Sequence, residues 1–334
     1  MDEAYSCGNE ECPMRVLLTM DSTAPSIGGS EVYAAKLASA LKHLGLSLDL
    51  LVGNHAVNAL RTDGRKVVAR DYDLINVHGT GQQPCAAAST GQPTIVTVHG
   101  YNRQRLRHPA VRERARLVAV GHQQANRLES DGFTVSDIIT PGVDLHLFRP
   151  SPVDRSKFGI PSNAKIVLFV GQLILRKNVE TLLRAAHNLL RDSTEIYVMI
   201  VGDGPLRGLL LDLADHLGFG ERARFIPRTA HESLVSYYRL ADLTVIPSLK
   251  ENFALVSLEA LACGSPLIVS REVSDVIHEF PFIATFDPRS EVELATVMRD
   301  ALQGHARPVD RAELLRFDWP NIARRYLALF QSVS

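Results

Sequence analysis

The chain has 334 residues, 46% of them hydrophobic and 22% charged, with a formal net charge of −1. That length suits two domains with substantial cores. The composition excludes a globally disordered chain, and the charge balance argues against bulk capture of nucleic acid. No apolar run approaches the roughly 20 residues that cross a bilayer. The opening "MDEAYSCGNEEC" is acidic and polar, unlike a secretory signal, and reads as a frayed tail over residues 1–13. Cys7, Cys12, Cys85 and Cys263 show no metal-ligand spacing, and a chain this long needs no disulfide framework. A reducing cytoplasm is the expected location.

From Met14 onward, strands and helices alternate. "RVLLTM" leads through a Gly-Gly turn into the helical "SEVYAAKLASALKHLG", then "LSLDLLVG", "LINVHG", "TIVTVHG", "RLVAVG" and "DIITPG". Uninterrupted Val/Ile/Leu runs suit strands buried on both faces of a parallel sheet. The stretch "FRPSPVDRSKFGIP" is rich in Pro, Ser and charge and reads as a linker. The alternation then restarts with "AKIVLFVG", "EIYVMIVG", "ARFIP" and "LTVIPS", each followed by a helical pattern, and ends on "SPLIVS". The expected fold is α/β, with two Rossmann-like doubly wound domains over 14–150 and 151–318 and a final helix over 319–334. Ligands of such sheets sit beyond the carboxyl ends of the strands. Two such domains facing one another would place the site in an inter-domain cleft.

Three junctions of the second half carry candidate chemistry. In "FVGQLILRKNVETLL", Arg176 and Lys177 precede a helix start, where cations and free N–H groups favour an anion. In "IVGDGPLRGLL", Gly202 and Gly204 permit a tight turn and Pro205 suits a first helical position. In "SLKENFALVSLEALACGSPLIVS", Glu251 and Glu259 stand with seven residues between them. A helix is expected to start over Asn252 to Leu255 and to end at Gly264. A carboxylate suits a polyol because it accepts from two neighbouring hydroxyls at once. Solvated loop charges, a generic αβ turn and a helix-dipole acid are the plain alternatives at these three places.

The run "RFIPRTAHESLVSYYRLADLTVIPSLKENFALVSLEALACGSPLIVS" resembles the nucleotide-sugar-binding segment of the retaining glycosyltransferases of family 4, which have the GT-B fold. The family's paired glutamates, followed by Ala, Gly and Pro, match Glu251, Glu259, Ala260, Gly264 and Pro266. "GGSE" at Gly28 to Glu31, "ITPGVDLHLFRP", "VGDGP" and "FDWPNIARRYLALF" match further family segments in order, so the resemblance spans nearly the whole chain. It implies that Glu251 contacts the transferred sugar and that Asn252, Phe253, Ala254 and Leu255 offer backbone to sugar and diphosphate. It further implies that Glu259 binds ribose hydroxyls, Lys177 neutralises the diphosphate, and His99 approaches the sugar from the first domain. Gly28 and Gly29 would let backbone approach the phosphates, the base would sit near Arg228, and the last helix would pack back on the first domain. Gln172 stands where the family carries Arg, and Arg176 is expected to substitute. The family's Gly-Gly is missing from "SREVSDVIHEF", and Asp275 stands in place of a Glu.

The function so implied is retaining transfer of a sugar from a UDP- or GDP-sugar to an acceptor glycan, lipid or small molecule, with no metal and no cofactor beyond the donor. A non-catalytic nucleotide-sugar-binding or partner protein, or a sugar phosphorylase or epimerase of the same fold, is the alternative. "DYD" at Asp71 to Asp73 precedes its strand and reads as a solvated turn, not a metal motif. His78 also ends a strand, where a hydrogen-bonded structural role is the plain reading. "RQRLRHPAVRERAR" places six arginines between Arg103 and Arg116. That stretch is either a solvated face or a contact for an anionic acceptor or the inner face of a membrane.

Overall fold

The computed structural model describes residues 14–20, 29–53, 60–62, 65–79, 82–100, 102–190, 195–251, 253–305, 307 and 309–333. In the first half the strands are β1 (Arg15–Met20), β2 (Ser47–Val52), β3 (Leu60–Thr62), β4 (Arg65–Val67), β5 (Leu74–His78), β6 (Thr94–Val98), β7 (Ala115–Ala119) and β8 (Val135–Ile138). Six of them form one parallel sheet in the order β2-β1-β5-β6-β7-β8, and β3 pairs with β4 as an antiparallel hairpin. β5 and β6 are buried along their whole length, which is why they read as continuous runs with no polar alternation. In the "DYD" turn Asp71 and Asp73 are exposed while Tyr72 is buried, and the turn also fastens the start of the sheet. Asp73 accepts the backbone N–H of Arg15 at 2.7 Å, and the Tyr72 hydroxyl donates to Asp49 at 2.6 Å.

The second half contributes β9 (Lys165–Val170), β10 (Ile196–Val201), β11 (Ala223–Ile226), β12 (Leu243–Ile246), β13 (Leu267–Ser270) and β14 (Ala284–Phe286). They form a second parallel sheet in the order β11-β10-β9-β12-β13-β14. Connections run outward from β9 to one edge, then return to β12 and run to the other edge. The strand order therefore reverses between β9 and β12, and such a reversal opens a crevice beyond the strand ends. The helix Val179–Leu190 buries Val179, Leu182, Leu183, Ala186 and Leu189 along one stripe. These residues pack with Phe169, Ile196 and Val198 of the sheet and Leu294 and Met298 of the helix Glu291–Asp300. Each buried leucine contributes about 1.5–3 kcal/mol.

The chain divides into two compact units. One runs up to Val120 and adds Ala125–Ile139 and the residues from Trp319 on; the other holds Gly121–Gln124 and Thr140–Asp318. The boundary read at 150 falls at Ile139, because Val143, Leu145 and Phe148 are buried in the core of the second unit. The stretch read as a linker is pinned there as well. Arg155 donates to the carbonyl of Ala164 at 2.9 Å and to Asp242 at 2.8 Å. Asp318 closes the second unit by accepting the N–H of Leu145 at 3.3 Å. The helix Trp319–Gln331 then places Trp319, Ile322, Tyr326 and Phe330 against Tyr33, Leu37 and Leu41 in the core of the first unit.

Candidate functional site

β9 and β12, the two strands beside the reversal, deliver the charged residues. Past β9 the chain turns through Leu175–Lys177, and Asn178 takes a left-handed conformation with φ 55°. Asn tolerates this conformation better than most residues. Its side-chain amide donates to the carbonyls of Pro247 at 3.1 Å and Pro288 at 2.8 Å, fastening this turn to the segment after β12. The N–H of Leu249 donates to the carbonyl of Arg176 at 2.8 Å, a second fastening. Arg176 donates through Nη1 to Glu251 Oε1 at 2.8 Å and to the carbonyl of Lys250 at 3.0 Å. Lys177 Nζ grips the other oxygen of Glu251, and the Ser248 hydroxyl reaches that oxygen at 3.4 Å. The Glu251 side chain is 11% exposed, so its charge needs these partners. Two cations against one carboxylate leave a net positive charge at the strand ends.

Gly202 and Gly204 do more than permit a turn. A Cβ on Gly202 would lie 1.8 Å from the carbonyl oxygen of Gly171, and one on Gly204 2.5 Å from that of Leu173. The loop after β10 is thus seated directly on the loop that carries Arg176 and Lys177. Gln172 is exposed beyond β9 and Arg228 beyond β11.

The helix after Glu251 starts at Leu255, the last residue of the expected range, with Ala254 extended before it. Phe253 and Ala254 are buried in the core, and Asn252 lies outside the described residues. Gly264, at φ 80°, ends this helix, and the N–H of Ser265 returns to the carbonyl of Ala260 at 3.0 Å. Glu259, on this helix, is buried and has partners of its own. Oε1 meets His231 Nε2 at 2.6 Å and Oε2 accepts the Tyr238 hydroxyl at 2.7 Å. Burial first, and then the charge of Glu259, pushes the Tyr238 hydroxyl well above its ordinary pKa, so it stays a donor.

His99 lies in the first unit and is paired with His78. His78 Nδ1 meets His99 Nε2 at 2.9 Å, and His78 Nε2 meets Asn76 Oδ1 at 2.7 Å. Asn76 Nδ2 reaches the carbonyl of Ile95 and the Thr97 hydroxyl, each at 3.3 Å. The Ile95 carbonyl can only accept, which assigns the amide orientation. Asn76 Oδ1 therefore accepts from His78 Nε2, and the neutral His78 accepts in turn from His99 Nε2–H. Both rings are held neutral: burial and the neighbouring His99 push His78 well down, and burial pushes His99 to about 4. Thr97 continues the chain to Tyr326 at 3.1 Å and Tyr326 to Tyr33 at 2.9 Å. Gly29 opens the helix Gly29–His43, while Gly28 lies outside the described residues.

The structure thus joins Arg176, Lys177 and Glu251 in one cluster and gives Glu259 and His99 separate partners. Sequence reasoning did not find His231, Tyr238, Ser248 or Asn178. A buried carboxylate demands donors, and that demand was the available signal for His231 and Tyr238.

Two parallel six-stranded sheets, each doubly wound, with a charged cluster at a topological switch point, define a two-domain Rossmann-like GT-B protein. The fold is shared by HepE of Anabaena, solved in complex with UDP and glucose. It has a TM-score of 0.77 and 18% identity, over 96% of this chain and 100% of that one. Sucrose-phosphate synthase of Thermosynechococcus elongatus has a TM-score of 0.75 and 21% identity, over 95% and 98% of the two chains. The family model described as glycosyl transferases group 1 matches residues 151–281. A D-inositol 3-phosphate glycosyltransferase 1 of Catenulispora acidiphila is 32% identical over 335 residues, covering 86% of this chain and 77% of that relative. The D-inositol 3-phosphate glycosyltransferase of Mycolicibacterium smegmatis is 43% identical over 141 residues, 40% of this chain. In that match the chain spans about a third of the relative, 32% of its length. The chain belongs to the group 1 glycosyltransferases.

Proposed function

We propose that the chain transfers a sugar from a UDP- or GDP-sugar to a hydroxyl acceptor, with retention at the anomeric carbon and without a catalytic metal. The observation that carries this reading is the grip of Arg176 and Lys177 on Glu251 beyond β9 and β12. Bond breaking puts negative charge on the leaving diphosphate and positive charge on the sugar. The surplus positive charge of this cluster suits the first, as a preorganised stabiliser. Glu251, already oriented by its cations, suits the sugar hydroxyls. His231 and Tyr238 each use one acceptor position of Glu259. Each carboxylate oxygen offers two such positions, so Glu259 keeps capacity for ribose hydroxyls. His99 is assigned to the transferred sugar by the family resemblance alone.

HepE is named in complex with UDP and glucose, so UDP-glucose is the first donor to try. The relatives' names make an inositol phosphate the first acceptor. The test is a transfer assay in excess chelator, with the product's anomeric linkage read by NMR. Turnover should persist and the linkage should be retained. Activity lost to chelator and restored by Mn²⁺ would overturn the metal-free assignment, and an inverted linkage would overturn retention. Donor binding with neither transfer nor hydrolysis would favour a non-catalytic sugar-nucleotide binder.

A further inference from the structure

A second cluster shares no residue with those around Glu251 and Glu259. His122 opens the helix His122–Ser130, while His278 and Glu279 end the helix Ser274–Glu279. One ligand-type atom from each of these three residues lies within 4.8 Å of the other two. The two imidazole rings are 4.1 Å apart between centroids, and His122 Nε2 is 3.9 Å from Glu279 Oε1. The other carboxylate oxygen, Oε2, is held by Arg316 at 3.1 Å. Arg316 is in turn steadied by the Phe317 ring, 4.7 Å beneath its guanidinium. Glu279 thus presents one oxygen to the histidines and has the other fixed from behind.

The two segments that carry these residues are clamped by contacts of their own. Asp275, buried one turn before Glu279, accepts the N–H of Gln123 at 2.9 Å. Gly121 makes this approach achievable, since a Cβ there would lie 2.2 Å from Asp275 Oδ2. His122 and the pair His278–Glu279 are therefore brought together by contacts that do not depend on their own side chains. Two neutral imidazoles and one carboxylate are the donor set of late first-row divalent ions, whereas Mg²⁺ and Ca²⁺ take oxygen ligands. Ligand atoms about 2.0–2.2 Å from a zinc ion stand a little over 3 Å from one another. The present separations, up to 4.8 Å, are wider than that, so binding an ion requires the side chains to turn inward; the His122 side chain is 43% exposed.

We propose that His122, His278 and Glu279 form a binding site for a divalent ion of the zinc class, with Arg316 as the outer partner that orients the carboxylate. Three protein ligands leave a fourth position for water. The site's effect is to tie the segment Gly121–Gln124 to the end of the helix Ser274–Glu279, both in the second unit, and it stands whether or not the chain transfers a sugar.

The full chain, stripped with chelator and gel-filtered, is titrated with Zn²⁺ and then with Co²⁺. The expected result is one equivalent of zinc retained, a rise in Tm with zinc, and visible Co²⁺ absorption of tetrahedral intensity. His278→Asn and Glu279→Gln should each weaken zinc binding by about 10-fold or more. His278 is exposed, so its variant should keep the metal-free Tm of the parent, and that Tm verifies folding. Zinc binding that is equal in the parent and both variants, or absent from the parent, overturns the proposal. So does an equal Tm rise with Mg²⁺.

Discussion

Arg176 holds Glu251 through Nη1 to Oε1 at 2.8 Å, leaving the opposite oxygen to Lys177. The carboxylate and the two cations therefore satisfy one another before any donor arrives. A diphosphate that binds here competes with Glu251 for the same two cations, so removing the carboxylate should have opposite effects on two ligands. Glu251→Gln should leave a bare nucleotide diphosphate bound as well as before or better, while weakening the complete nucleotide sugar relative to it. Calorimetry on both ligands reads this ranking directly. A larger loss for the bare nucleotide would remove Glu251 from the sugar.

Lys177→Ala should lower turnover by about 10²–10³, the scale for one preorganised charge stabiliser. Arg176→Ala should also be damaging, because Arg176 is the cation that supplements Lys177 while Gln172 is uncharged. Gln172→Arg in the Arg176→Ala background should recover part of the rate. Wild-type kinetics in Arg176→Ala would show that Arg176 serves only to hold Glu251.

Tyr238→Phe deletes a buried donor to Glu259 and should cost about 1.5–3 kcal/mol of stability, the range for a hydrogen bond to a charged group. Denaturant unfolding measures it. Glu259→Ala should in addition weaken nucleotide binding, which Tyr238→Phe should do far less. Equal losses of binding in the two variants would make Glu259 a structural residue.

The pair His78–His99 sets a pH dependence whose sign follows from its burial. Both rings have folded-state pKa values below the unfolded value of about 6.5, His99 at about 4. The unfolded chain therefore takes up protons first as the pH falls. The stability that these rings contribute is complete above about pH 6.5 and is lost as the pH drops toward 4. The drop in denaturation midpoint between pH 7.5 and pH 5 should be smaller in His99→Gln than in the parent. An unchanged drop would assign the dependence to carboxylates.

Within the arginine-rich stretch, Arg103 is paired with Asp131 at 2.9 Å and Arg116 donates to Ser332 at 3.2 Å. Arg107, Arg112 and Arg114 are exposed. Replacing those three with Gln should leave donor affinity unchanged and weaken binding to an anionic acceptor or anionic vesicles in a salt-dependent way. Unchanged binding at low salt would make the stretch a solvated face. Among the described residues, no helix is long and apolar enough to cross a membrane.

The sheet strands were legible because burial on both faces writes them as apolar runs. β14 and the β3–β4 hairpin, three residues to a strand, are too short to do so. Arg176 and Lys177 were legible because cations beside a helix start favour an anion, and Glu251 because its spacing from Glu259 resembles the family's paired glutamates. His231 and Tyr238 were not, because Glu259 meets them only through the fold, across 28 and 21 residues. The boundary at Ile139 was hidden by composition: "FRPSPVDRSKFGIP" looks like a tether, yet Phe148 is fully buried and Arg155 is tied to Asp242. Asn178 gave no sign of its left-handed turn, which the partners of its amide require.

The helix Trp319–Gln331 belongs to the unit that the chain begins, yet the ribosome makes it after all of the other unit. Its Tyr326 completes the hydroxyl chain between Thr97 and Tyr33, and its Trp319 and Phe330 fill the same core. During synthesis the first sheet must therefore wait with part of its apolar face uncovered while the second unit, apart from Gly121–Gln124 continuous in sequence, can close at once. Domains generally fold N-terminal first during synthesis, but the core of this chain's first unit is completed only by its last helix. The half-built first unit is the species that a chaperone would be needed to shield.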